Sequence, residues 1–430
     1  MSKQRVIEVV ADWEGLAGPT FIGHLTATPA RGKEVFAFEY DKEWLTTASR
    51  QQLDPAMALY GGPQYPAKNR ENFGVFLDSC PDRWGRVLMR RREAQLARAE
   101  ERAERRLLES DYLLGVHDGH RMGALRFRMD GRFLDDNDEL ASPPWTSLRE
   151  LEHASFQLER QGVEDDPDYG RWLRMLIAPG GSLGGARPKA SVRDERDRLW
   201  IAKFPSRNDE DDIGAWELVV NDLAERAGVV VPEAKLRRFG KSKGGGHGHR
   251  TFLSRRFDRT DDCGRLHFAS AMTLLDRVDG QDADDGVSYL ELADLLMRLG
   301  SNTSADLEQL WRRIVFSICV SNTDDHLRNH GFMLGATGWA LAPAYDMNPD
   351  PHGAGLKLNI SETDNALDIE LAGSVASVFR VNRTRAQEIV VEVTSAVNQW
   401  RAVATSHEIL PTAQDRMGRA FRVAEAWVGG

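Results

Sequence analysis

The sequence predicts an α+β protein of two lobes: a strand-rich N-terminal lobe with an added N-terminal subdomain, and an all-helical C-terminal lobe. Three observations lead there. Up to about residue 70 the segments VIEVV, FIGHLTATP and EVFAFEY alternate apolar and polar residues, the period of half-buried strands. Short strand-like runs return in LWIAKF, VPEAKLRRF and TFLSRRFDR, after a glycine-rich loop. Beyond Phe268 the apolar residues of AMTLLDRV, SYLELADLLMRLG and ADLEQLWRRIVFSICV recur at helical spacing. The expected boundaries are 1–145 for the subdomain, 146–256 for the rest of the strand-rich lobe and 257–430 for the helical lobe.

Composition narrows the function classes. A chain of 430 residues is too long for one ordinary core. Charged residues at 28% and apolar ones at 41% describe a soluble globular protein, and no apolar run approaches the roughly 20 residues that cross a bilayer. The start, MSKQRVIEVVADWEG, has no apolar stretch long enough for a signal peptide, so a cytoplasmic setting is expected. A net charge of −10 argues against a surface built to grip nucleic acid all over. Cys80, Cys263 and Cys319 are odd in number and far apart, which gives neither a disulfide framework nor a zinc pattern.

In chain order, the first sheet ends in the turn-rich YGGPQYP. From Asp78 to Leu113 the pattern is helical, with nine arginines between Arg83 and Arg106 interleaved with Glu93, Glu100, Glu101 and Glu104. Mixed charges three and four apart describe a solvated helical face rather than a docking surface for an acidic partner. The acidic DDNDEL and the Pro-containing ASPPW form a connection, and SLRELEHASFQLERQ is a further helix.

Next comes APGGSLGGARPK, in which Gly180, Gly181, Gly184 and Gly185 surround Ser182, with Lys189 close behind. Clustered glycines let backbone N–H groups approach a phosphate. It is not a Walker loop, because Ala186 stands where that motif needs lysine. In LWIAKF, Lys203 interrupts an apolar strand, a position that costs free energy unless the charge is paired. The helix from Ile213 to Ala227 places Ile213, Trp216, Val220, Leu223 and Ala227 on one side, with Gly228 as its stop and Glu217 as a candidate partner for Lys203. His247 and His249, in KSKGGGHGHR, read as part of a glycine-rich hairpin loop rather than a metal site. A hinge between lobes is expected near Ser254 to Phe257.

A buried helix marked by Leu307, Leu310, Trp311, Ile314 and Ile318 delivers the chain to SNTDDHLRNHGFMLGATGWALAPAYD. Asp324, Asp325, His326 and Asn329 fall within this stretch, a short hairpin follows, and Asp346 comes after it. Glycine loop, strand lysine, helix glutamate, hinge, Asp…Asn, hairpin and Asp are the parts of a protein kinase in order, so the expected fold is protein-kinase-like. In that order Lys203 holds nucleotide phosphates, Asn329 and Asp346 offer oxygen ligands to Mg2+, and Asp324 orients or deprotonates the attacking hydroxyl. Asp325 leaves the base assignment open; the five-residue gap to Asn329 favours Asp324.

GGSLGGARPK, IAKFPS, FLSRRFDR, SNTDDHLRNHGF and APAYDMNP, with YGGPQYPAKN and DRWGR further upstream, resemble the signature segments of the HipA family, serine/threonine kinase toxins of type II toxin–antitoxin modules. The resemblance implies ATP contacts from Gly184, Gly185, Ala186, Arg187, Pro188 and Lys189, from Lys203, and from the hinge residues Arg255, Arg256 and Phe257. It implies Asp324 as proton acceptor and His326, Arg328 and Asn329 on the phosphates and metal, with Tyr345 and Asp346 closing the site. Ser182 matches the family's regulatory autophosphorylation position, where a dianion would compete with ATP for the same N–H groups. The implied partners are a HipB-like helix-turn-helix antitoxin, through which alone DNA is met, and a protein substrate of the aminoacyl-tRNA synthetase class. Asp324, His326 and Asn329 in D-x-H-x-x-N are also similar to phosphoinositide kinases, which keeps a small-molecule or lipid-head-group kinase as the alternative. A catalytically silent binding module is the third reading.

Overall fold

A computed structural model describes residues 4–68, 70–133, 143–177, 187–239 and 248–427. The chain divides into two compact units, Met1–Asn208 with Leu253–Ala269, and Asp209–Phe252 with Ser270–Gly430. The boundaries expected from sequence at 145 and 256 both fall inside the first unit.

The first unit is built on a five-stranded antiparallel sheet of order β3-β2-β1-β4-β5: β1 (Arg5–Ala11), β2 (Thr20–Ala30), β3 (Lys33–Tyr40), β4 (Leu125–Met129) and β5 (Arg132–Phe133). A bulge between Val9 and Val10 turns both into the core, which is why VIEVV buries more than strict alternation allows. Gly23 at φ +157° lets β3 come close, for a Cβ there would stand 2.2 Å from the Glu39 carbonyl. Phe38, Phe73, Phe76 and Phe127 pack edge-on or tilted beneath the sheet at centroid spacings of 5.7 to 6.3 Å.

The helical pattern read from Asp78 to Leu113 is interrupted in the structure. After α1 (Lys42–Thr46), the chain forms α2 (Gly74–Asp78), α3 (Arg83–Ala99) and α4 (Glu109–Leu114). Pro81 separates the first pair, and Glu101 at φ +50° ends α3. The returning chain brings Arg102 to Glu93 at 2.6 Å and Arg105 to the same carboxylate at 3.4 Å. Arg86 binds Glu109 through two bonds of 2.6 and 2.7 Å. Part of the arginine face therefore serves the fold itself.

The helices α5 (Leu148–Leu158) and α6 (Tyr169–Ile177) pack on one another and precede the antiparallel pair β6 (Lys189–Arg193) and β7 (Leu199–Lys203). After the strand Thr251–Arg255, the Arg256 N–H donates to the Leu199 carbonyl.

The second unit opens on α7 (Ile213–Arg226), whose first turn is capped by the Asp212 carboxylate. Trp216, Val220, Leu223 and Ala227 are buried as the stripe predicts, and Gly228 at φ +73° follows the helix end. The helix Thr303–Val320 is its centre, with every residue from Leu310 to Val320 buried. Trp311 Nε1 donates to the Ala372 carbonyl at 2.9 Å, and Arg312 ties the helix to Ala227 and Glu392 at 2.7 and 2.6 Å. The expected all-helical lobe has an exception that the sequence also signalled, the hairpin of Gly331–Gly335 and Gly338–Leu341.

Candidate active site

The loop Ser321–Asn329 begins where the buried helix stops. Ser321 ends it at φ +51°, and its hydroxyl donates to the Ala420 carbonyl at 2.7 Å. A non-glycine residue held in the left-handed region marks a backbone whose surroundings dictate its shape. Two further bonds join the loop to the segment after the hairpin: Asn348 N–H donates to Asn322 Oδ1 at 3.1 Å, and Thr323 Oγ1 to Asp350 Oδ2 at 2.8 Å. The loop and the Asp346 region are thus one framework.

Within it the adjacent acids part company. Asp325 is buried; Tyr289 donates its phenol to Asp325 Oδ2 at 2.6 Å, and His330 Nε2 lies 3.2 Å from Oδ1. Burial alone would raise this carboxyl, but His330 and Tyr289 hold it below the ordinary carboxylate range. Burial first, and then the Asp325 carboxylate, push the Tyr289 phenol well up, so it stays a donor. Arg313, also buried, donates to the Ala342 carbonyl at 2.6 Å; desolvation pulls its guanidinium down to about 10 against the attraction of Asp325. Asp324, by contrast, has an exposed side chain. Its carbonyl accepts from the His326 N–H at 2.9 Å and from Asn329 Nδ2 at 3.1 Å, which fixes the backbone from which the carboxylate projects.

The other loop residues fall around this pair. Tyr345 donates to the Arg328 carbonyl at 2.6 Å, and Arg328 pairs with Asp279 at 3.1 Å. Asp346 sits at φ +59°, beyond the hairpin and in the same framework. His326 Nδ1 is buried and makes no hydrogen bond among the described residues, an unsatisfied polar atom in this loop. Lys357 bonds Asp282 at 2.8 Å; that carboxylate raises the ammonium most, and Asp324 adds to the effect. Among the described residues no group of three or more His, Cys, Asp or Glu side chains is gathered for a metal. A kinase-type Mg2+ site needs no such group, because phosphate oxygens complete it. Asn329 and Asp346 carry side-chain oxygens of the hard kind that such a site takes.

In the first unit, Lys203 ends β7 and stands directly opposite Lys189 of β6. Lys189 is buried, with its ammonium 3.3 Å from Asp82 Oδ2. Arg256 is buried as well: its guanidinium grips Asp258 at 2.6 Å and donates to the His120 and Arg121 carbonyls at 2.6 and 3.1 Å. Arg255 pairs with Asp261, and Phe257 packs near Phe268. Arg187 and Pro188 lead into β6. Gly180, Gly181, Ser182, Gly184, Gly185, Ala186 and His247 lie outside the described residues. In the second unit Glu217 is buried on α7.

Sequence reasoning missed Tyr289, His330, Arg313 and Lys357. Only His330 left a signal, as the second histidine of a segment already singled out; the others join through tertiary packing. Asp82 lay within DRWGR, but nothing in the sequence tied it to a lysine more than 100 residues on.

Strand-rich and helical units, with a loop that separates a buried acid from an exposed one, define a protein-kinase-like α+β protein. The chain belongs to the HipA family: the family model for the HipA-like C-terminal domain matches residues 181–400, and that for the HipA N-terminal domain matches 16–133. A Sinorhizobium fredii protein named "Putative kinase Y4dM" is 32% identical over 220 residues, 50% of this chain and 48% of its own length. A Haemophilus influenzae protein named "Putative kinase" is 28% identical over 181 residues, 39% of this chain and 52% of its own. The chain thus spans about half the length of the curated relatives it matches. Among solved structures, a chain of the Shewanella oneidensis MR-1 toxin–antitoxin complex of HipA, HipB and operator DNA is similar over 98% of this chain and 97% of that one. Its TM-score is 0.66 at 17% identity, a likeness of fold. Among the described residues no helix is long and apolar enough to cross a membrane.

Proposed function

We propose that this chain is an ATP-dependent serine/threonine kinase toxin of a toxin–antitoxin module. The observation that carries the reading is the opposite treatment of two adjacent carboxylates. Asp325 is consumed by Tyr289 and His330, whereas Asp324 projects to solvent from a backbone held by His326 and Asn329. A general base must reach its substrate's proton, and the exposure of Asp324 beside the buried Asp325 supports Asp324 in that role. Asp324 then accepts the proton of the attacking hydroxyl. On the family's pattern Lys203 is the phosphate-binding lysine of the first unit, and His326 and Arg328 are the phosphate-binding residues of the second. Asn329 and Asp346 would hold Mg2+, which when bound neutralises charge on the phosphates.

Family membership supports the further parts of this reading. The partner is a HipB-like antitoxin, by analogy with the HipA–HipB–DNA complex of the structural relative. The substrate is a cellular protein of the aminoacyl-tRNA synthetase class. Phosphorylation of Ser182 switches the enzyme off by placing a dianion in the glycine loop.

Incubation of the chain with labelled ATP, Mg2+ and cell extract tests the reading. Label in a protein band supports it. Label confined to small molecules favours the head-group kinase, and absence of both transfer and ATP binding leaves a silent binding module.

A further inference from the structure

We propose that Asp82, in the N-terminal subdomain, is a positioning residue for the phosphate-binding face of β6 and β7. The proposal rests on the ATP-dependent reading above. Its starting point is the strand register, which sets Lys189 directly opposite Lys203. Residues opposite one another in an antiparallel pair share a face of the sheet, with Cβ atoms about 5 Å apart, and like charges there repel. Such an arrangement persists only when something neutralises at least one of the two lysines.

Asp82 does so. Lys189 and Asp82 retain side-chain exposures of 3% and 5%, and Nζ lies 3.3 Å from Oδ2. The carboxylate is not free to wander. Its Oδ1 accepts the Gly85 N–H at 2.7 Å, which makes Asp82 the N-cap of α3. One oxygen anchors the residue to a helix of 17 residues, and the other lies within ion-pair distance of the lysine. The helix is itself fixed by the two-bond pairing of Arg86 with Glu109. Asp82 therefore sets where the Lys189 ammonium stands on the sheet face that carries Lys203.

A merely structural ion pair would look similar in one respect: a buried ammonium needs a partner wherever it is. The two roles differ in what they predict for ATP. If Asp82 positions the face, replacing its carboxylate disturbs the spacing of both lysines and weakens nucleotide binding, while the step at Asp324 proceeds normally once ATP is bound. If the pair is structural only, melting temperature falls and nucleotide affinity does not.

The experiment is titration of the full-length chain and its Asp82→Asn and Asp82→Glu variants with ATP and Mg2+, alongside steady-state kinetics and thermal melting. Asparagine caps a helix about as well as aspartate, so α3 keeps its first turn. The expected result is about tenfold weaker ATP binding and a matching rise in KM for Asp82→Asn, as loss of an outer partner of a binding group typically costs. Its kcat stays within about twofold, and Asp82→Glu regains most of the affinity. Asp82→Ser, also a good cap, makes the same comparison if the asparagine variant fails to fold. Equal ATP affinity in the unmodified chain and a folded neutral variant overturns the positioning role alone. Absence of ATP binding by the unmodified chain overturns the kinase reading and this proposal with it.

Discussion

Asp324 and Asp325 are chemically identical neighbours in opposite surroundings, one exposed and the other buried and bonded. Asp325 accepts the Tyr289 phenol, so Asp325→Ala leaves that hydroxyl buried without its partner. Denaturant unfolding of that variant is expected to show a loss of about 1–3 kcal/mol, the usual cost of an unsatisfied buried polar group; unchanged stability would remove Asp325 from the framework. His267 offers a pH-dependent counterpart in the first unit. It is buried beside Trp13, their rings stacked 5.3 Å apart, and desolvation drives its imidazole from 6.5 down to about 3. The unfolded chain takes up a proton on this residue below pH 6.5, and the folded chain does so only near pH 3. Stability is therefore complete at neutral pH and declines as pH falls through that window, by about 1.4 kcal/mol per unit. Melting curves of His267→Phe should show a shallower acid slope than the unmodified chain, and parallel slopes would contradict the assignment.

At the scale of elements, the hairpin between Asn329 and Asp346 depends on one glycine. Gly338 adopts φ +146°, and a Cβ there would stand 2.5 Å from the Leu299 carbonyl. Gly338→Ala must displace backbone or strain it, which costs about 1–3 kcal/mol. The expected outcome is a lowered melting temperature together with weaker ATP binding, since the same hairpin leads to Asp346; a stable variant with normal binding would show that the hairpin does not set the site. Much at this scale was legible in sequence. Alternation gave the first three strands, and the stripe from Ile213 to Ala227 gave α7 to within a residue. The spacing of Leu307, Leu310, Trp311, Ile314 and Ile318 gave the buried central helix. What escaped was the interruption of the arginine-rich stretch. Helical charge spacing continues through Glu100–Glu104, but Glu93 is buried, and recovering Arg102 and Arg105 as its partners requires the chain to turn back. Local pattern carries no record of that long-range demand. The same holds in the site: the motif residues were visible at fixed spacing, while Tyr289 and Arg313 come from helices that the motif does not contain.

For the whole molecule, membership of the HipA family joins two family segments, 16–133 and 181–400, on one chain. A nucleotide that binds the folded chain alone must stabilise it by mass action. ATP with Mg2+ at about 100 times its dissociation constant should add about 2.7 kcal/mol, read as a raised melting temperature. A chain whose melting is indifferent to ATP would not be a nucleotide-binding enzyme. The separation of duties proposed for Asp324 and its neighbours makes a sharper demand, because it assigns base and binding to different groups. The decisive comparison is transfer of labelled phosphate from ATP by the unmodified chain and by Asp324→Ala, with ATP binding measured on both. The account predicts that the variant binds ATP as before while transfer falls by at least about 100-fold. Full transfer by Asp324→Ala would contradict it.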